Sequence, residues 1–192
     1  ASQSIVPAPP RWWLAAFVLL AFAYLGVATV LVAMHARGNL IDAPPTIGHN
    51  IRRAVDEIAS ANGVSNKVTH LIYSHHHADH SGAVSLFDDK DIVRIGHEET
   101  RRLLLRDKDP ARPAPEETFQ DKRSLEIGGE RIDLAWLGSN HSPDNIYIHL
   151  PAHDALMLVD IVNPGWAPIY ISNLSEDIPG YIQAPAKAMA YP

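Results

Sequence analysis

Ser74-His75-His76-His77-Ala78-Asp79-His80 is the stretch on which the reading of this chain turns. Four imidazoles and one carboxylate fall within positions 75–80. No apolar core calls for that density of imidazole. Neutral imidazole and carboxylate are the ligands preferred by zinc and its first-row neighbours. Val68-Thr69-His70-Leu71-Ile72-Tyr73 leads into the stretch, and this apolar, β-branched run predicts a buried strand. Ser81-Gly82-Ala83 leads out of it as a turn into a short helix. The histidines therefore stand at the carboxyl end of a strand, where open α/β sheets place their sites.

Spacing sorts the candidate ligands. His75 and His77, two apart, lie on the same side of an extended segment and can reach one ion. Asp79 and His80 fall beyond the turn and can reach a second. His76 points away from the first pair. A tetrahedral catalytic site wants three protein ligands and an open position, so a further ligand must come from elsewhere. Gly138-Ser139-Asn140-His141-Ser142-Pro143-Asp144-Asn145 follows a strand expected over 132–137 and offers His141 in a turn. Asp160 closes the apolar strand Leu156 to Val159, before Asn163-Pro164-Gly165, and a carboxylate there can bridge two ions roughly 3.5–4 Å apart.

Outward from these motifs, Leu40 to Pro45 reads as a strand ending in an acidic turn. An amphipathic helix over 47–62 follows, with Gly63 just past its end. Further expectations are a short helix at Ala83–Phe87, a strand at Ile92–Ile95 and a helix at Glu98–Arg106 with Leu103, Leu104 and Leu105 partly buried. Residues 107–117 form an exposed, proline-rich loop. A hairpin turns at Gly128-Gly129, strands cover 146–148 and 156–159, and a helix starts near Asp177. Alternating helices and strands followed by a hairpin-rich section predict an α+β, four-layer αββα arrangement.

The N-terminal end reads differently. Residues 12–34 carry no charge, and as a helix they would span roughly 35 Å, enough for a bilayer core. A membrane anchor, a signal segment and a pair of buried strands all fit this run. The expected division is therefore a tail and hydrophobic segment at 1–37 and a folded domain at 38–192. The run favours a membrane-anchored or exported protein and possible membrane association, while leaving a cytoplasmic location open. The 192 residues carry a net charge of −6 with no basic run, which argues against a nucleic-acid partner. The absence of cysteine excludes disulfides, thiolate ligands and a cysteine nucleophile.

Taken in order, His75, His77, Asp79, His80, His141 and Asp160 resemble the metal-ligand pattern of the metallo-β-lactamase-fold superfamily, over about residues 40 to 170. The resemblance implies an αββα sandwich holding one or two Zn2+ ions. It also implies a small-molecule substrate and hydrolysis of its ester, lactone, thioester or lactam bond by a metal-bound hydroxide, with Asp79 orienting the nucleophile or taking its proton. Asp42 matches an acidic residue that steadies the histidine loop in that family. Asn145 is a candidate donor to a substrate oxygen, and Trp166, within 163–170, a candidate pocket wall. One departure stands out. The family usually supplies another histidine downstream of the bridging aspartate, and none follows His153 here. The C-terminal part of the domain is then missing, or the site is mononuclear, or water fills the gap. The competing reading is a non-catalytic metal-binding or interaction protein with a degenerate second site.

Overall fold

The computed structural model describes residues 18–21, 28–32, 38–162 and 176–191. A six-stranded sheet runs in spatial order β1 (Val18–Ala21), β2 (Ala28–Val32), β3 (Gly38–Ile41), β4 (Val68–Ile72), β5 (Val93–His97) and β6 (Glu117–Phe119). The first three strands pair antiparallel, and β3 to β6 pair parallel. A second, antiparallel sheet comprises β7 (Lys122–Ile127), β8 (Glu130–Ala135), β9 (Tyr147–Leu150) and β10 (Ala155–Met157).

Strand alternation builds the layers. In β3 and β4, Ile41 and Ile72 face the second sheet, where they meet Ile132, Leu134, Ile146 and Ile148. Their neighbours Leu40 and Leu71 face the other way, onto Ile51 and Val55 of α1 (Gly48–Asn62) and Leu104 of α3 (Glu98–Asp107). Sheet two has its own outer layer. Tyr147 and Ile161 pack there with Ala184 of α4 (Ile178–Ala188). Three apolar interfaces between four layers give the αββα sandwich that the pattern predicts.

Local chemistry explains the boundaries. Gly63 ends α1 in the left-handed conformation, its N–H on Ala59 and Ser60 carbonyls, as a C-terminal glycine does. Gly128 and Gly129, at φ 64° and 86°, supply the two positive-φ positions of the β7–β8 hairpin. Because β3 and β4 are parallel, their carboxyl ends share one edge, so Asp42 sits beside Ser74.

Several expectations need correction. Of the readings open for 12–34, a spanning helix is not what its described residues form; they are strands, β1 and β2, which extend the sheet from the edge of β3. Hydropathy alone cannot separate a buried strand pair from a membrane helix, whereas the unpaired backbone edge of β3 demands partners. No helix among the described residues is long and apolar enough to cross a membrane. The short helix expected at 83–87 is a 3-10 turn at Val84–Leu86, and a further helical turn, α2 (Ala78–Ser81), precedes it within the histidine stretch. Residues 107–117 are not simply exposed. Pro115 is buried, the Tyr73 hydroxyl donates to Pro113 O, and the segment leads into edge strand β6. Leu103 and Leu104 are buried as expected, but Leu105 faces solvent.

Candidate metal centre

Asp42 anchors the histidine loop from behind. Its Oδ1 accepts from Ser74 N at 2.8 Å and its Oδ2 from Ser74 Oγ at 2.6 Å. That second bond uses the only hydroxyl proton of Ser74. The 2.9 Å contact between Ser74 Oγ and His75 Nδ1 must then have the imidazole as donor. His75 Nδ1 therefore carries the proton and Nε2 is bare. That Nε2 is buried and has no hydrogen-bond partner. Asp42 also lies 3.4 Å from His80 Nδ1. It thus orients two imidazoles, in the way outer carboxylates orient metal ligands.

The short α2 turn brings His80 back towards His75, with ring centroids 4.5 Å apart. Tight local packing holds α2 in place: Ala43 N donates to His80 O, and a Cβ on Gly82 would lie 2.5 Å from Ala78 O. His141 arrives from the 138–145 turn. Asn140 Oδ1 accepts from His141 N at 2.6 Å, and Trp136 Nε1 donates to Pro143 O at 2.9 Å. His141 Nε2 stands 3.1 Å from His77 Nδ1 across 64 residues of sequence.

Asp160 completes the cluster from the turn after β10. Its Oδ2 is 2.9 Å from His80 Nε2, 3.3 Å from His141 Nε2 and 3.7 Å from His75 Nε2. Asp160 and Asp42 have φ of 56° and 59°, a left-handed conformation that aspartate tolerates better than most residues. Both are strained backbone positions at the functional end of a strand, a recurrent association.

These residues fit a divalent cation. His75, His77 and His141 offer ligand atoms that lie within 4.8 Å of one another, as do His75, His80 and Asp160. A tetrahedral ion with bonds of about 2.0–2.1 Å holds its ligand atoms about 3.3 Å apart, close to the separations found here. His80 Nε2 is buried and lies near Asp160 without the alignment of a hydrogen bond. Leaving such groups unmatched costs about 1–3 kcal/mol each, a cost that a shared cation removes. His75 has one free nitrogen and can serve only one of the two groups.

The electrostatics divide the histidines. Burial and the neighbouring imidazoles hold His75 well below the ordinary histidine range. Burial pushes His77 down to about 4 and lowers His141 as well. These three stay neutral at pH 7, as ligation requires. Burial works against a charge on His80 too, but the Asp160 and Asp42 carboxylates outweigh it and lift His80 to about 10. Burial would raise Asp160, and the same His80 pairing holds it below the usual carboxylate range.

The remaining candidates separate. Asp79 is half-exposed at the open side, 3.7 Å from His80 Nε2, and lies outside both ligand groups. Asn145 does not face the open side. It is fully buried, and its Nδ2 donates to Val159 O, which fixes the segment carrying Asp160. The expected substrate contact is therefore replaced by a structural one. Trp166 lies outside the described residues. Sequence reasoning missed Asp144, which accepts from His76, Ser142 and Thr100. The signal is present, since Asp144 stands three residues after His141 in the same motif, and His76 points away from the ligand pair as an outer residue does.

Comparisons with known proteins agree with this geometry. Residues 41–167 match the model of the metallo-beta-lactamase superfamily. A type 2 metallo-beta-lactamase of Bacteroides fragilis is 30% identical over 90 residues, which cover 47% of this chain and 35% of that one. A second type 2 enzyme, of Elizabethkingia meningoseptica, is 22% identical over 138 residues, covering 72% and 53%. The chain thus spans about a third to a half of the length of the curated relatives it matches. The crystal structure of metallo-beta-lactamase IND-7 superposes with a TM-score of 0.71 at 20% identity, covering 91% of this chain and 78% of that one. The metallo-beta-lactamase of Pontibacter korlensis gives 0.70 at 18%, with the same coverage.

Proposed function

Since the chain belongs to the metallo-beta-lactamase superfamily, we propose that it is a zinc-dependent hydrolase acting on a small ester, lactone, thioester or lactam. The observation that carries this reading is the meeting of His77 Nδ1 and His141 Nε2 at 3.1 Å, beside the bare Nε2 of His75.

In this reading His75, His77 and His141 would hold one zinc ion, and His80 and Asp160 would contribute to a second position. When bound, zinc supplies a Lewis acid that lowers the pKa of a water to about 7 and polarises a substrate oxygen. The chain's own residues do the rest. Asp79, half-exposed at the open side, orients the attacking water and accepts its proton. Asp42, through Ser74, keeps the His75 proton on Nδ1 and the ligand nitrogen free. The two sheets exclude water from the back of the site, which strengthens every charge interaction in front.

A metal-binding protein without turnover is the second reading. It is favoured by one observation: with His75 committed to the first group, the second retains, among the described residues, His80 and Asp160 of its own. Metal analysis of the purified chain and assays with a chromogenic lactam, a lactone and a thioester separate the two, with His77→Ala as control. Retained metal without turnover on any substrate selects the second reading. Turnover that survives in His77→Ala removes the hydrolase assignment.

A further inference from the structure

Asp144 has no solvent exposure and is not a metal ligand. A carboxylate at such depth is strongly unfavourable unless its oxygens are fully engaged. Here three elements engage them. Oδ1 accepts from His76 Nδ1 at 2.9 Å and from Ser142 Oγ at 2.8 Å, and Oδ2 accepts from Thr100 Oγ1 at 2.8 Å. His76 lies between His75 and His77. Ser142 follows His141. Thr100 is a buried residue of α3, the helix whose start is capped by His97. One carboxylate therefore joins both ligand-bearing segments to a rigid helix.

The same peptide is held from other sides. Arg112 Nη1 donates to His76 O at 3.0 Å, and Ser81 Oγ donates to the next carbonyl, His77 O, at 2.8 Å. Ile146 N donates to Ser74 O at 3.0 Å, which closes the seam between the two segments.

We propose that Asp144 and His76 are positioning residues, a buried clasp that locks loop 74–80 to turn 138–145 so that His77 and His141 meet before a cation arrives. The ordering of the chain between His77 and His141 is then completed in folding and is not subtracted from the free energy of metal binding. The effect on metal affinity rests on the metal-centre reading above, whereas the joining of the two segments does not.

The test uses the full chain, metal-free, with Asp144→Asn, His76→Ala and His76→Asn. Amide hydrogen exchange is followed in segments 74–82 and 138–146, with α1 as internal reference, and Co2+ is titrated by visible absorption. Asp144→Asn and His76→Ala are expected to raise exchange in both segments together while α1 holds. They are also expected to weaken Co2+ binding about 10–100-fold and alter its spectrum. His76→Asn places an amide N–H near the Nδ1 position and recovers most of both. Unchanged Co2+ affinity and spectrum in Asp144→Asn and His76→Ala, against a wild type that binds, overturns the clasp. So does exchange that rises evenly over the whole chain, the signature of a merely stabilising cluster. A wild type that binds no Co2+ removes the metal-centre reading, and the clasp is then decided by the exchange pattern alone. If Asp144→Asn does not fold, the two His76 variants carry the same comparison.

Discussion

Between the two sheets, Ile72, Ile95, Ile132, Leu134 and Ile148 have essentially no solvent contact. In the loops and the short helical turn that flank these strands, Ser74, His75, His80, Asp144 and Asn145 are enclosed just as deeply. The first group needs only shape and apolar area, and each member tolerates its neighbours without direction. The second group is polar, and each member is acceptable only if a specific partner stands at hydrogen-bonding distance. Even so, His75 Nε2 and both ring nitrogens of His80 are left without hydrogen bonds. The sandwich core supplies stability, and the loop ends draw on it to hold a group of unmatched imidazoles together. This is how a site can be strained and still well ordered.

The sharpest way to break that contrast is His77→Ala. Removal of one ligand from the three-histidine group should lower turnover by at least ~100-fold, measured with whichever substrate the wild type hydrolyses. The metal-free chain should lose little stability, because the deleted ring belongs to the unmatched region. Ile148→Ala is the counterpart in the core. It should cost about 2–5 kcal/mol in chemical denaturation while metal content per folded chain stays the same. An Ile148→Ala protein that folds normally but binds no metal would show that the two regions are not separable.

Ser74→Ala sharpens the comparison from the site's side. It cuts the relay from Asp42 to His75 and frees the imidazole to take the wrong tautomer. Metal affinity should fall about 10–100-fold, read by competition with a chelating dye, with a smaller change in unfolding midpoint.

The pH profile of the metal-free chain distinguishes the regions without mutation. His77, lowered to about 4, binds fewer protons folded than unfolded, so stability should decline as pH falls from about 6.5 towards 4. His75 and His141, also lowered, act in the same direction. His80 acts in the opposite one. Its contribution is complete below about 6.5 and is lost as pH rises towards 10. Melting temperatures of metal-free protein should therefore peak near pH 6.5, and saturating metal should flatten that peak. A monotonic profile across pH 4–10 would contradict the assignment of charges.

The smallest effect is expected at the surface. Arg53 and Glu57 pair at 3.7 Å on α1 with both side chains more than two-thirds exposed. Glu57→Gln should change stability by no more than about 0.5 kcal/mol, which sets the scale against which the buried changes are judged.

Much of this was legible in the chain because its cause is local. Strand alternation at Leu40/Ile41 and Leu71/Ile72, the apolar stripe of α1 with Gly63 behind it, and Gly128-Gly129 follow from backbone geometry within a few residues. The crowding of His75, His77, Asp79 and His80 after a buried strand follows from ligand chemistry in the same way. Local signals could not decide which partners meet across the fold. The apolar 12–34 run has the hydropathy of a spanning helix, and the open edge of β3 takes its described residues as strands instead. Asn145 has the chemistry of a substrate donor, and the course of the chain after β10 puts Val159 O against it. His76 stands out of line with the ligand pair, and Asp144 makes that displacement useful. The sequence by itself determined the inventory of candidate ligands and their placement near strand ends, since residue type and periodicity are properties of neighbours in the chain. The tertiary structure alone decided that His77 meets His141, that Asp160 comes between His80 and His141, and that Asp144 ties the loops together. Those contacts depend on the packing of two sheets, whose closure no short stretch encodes.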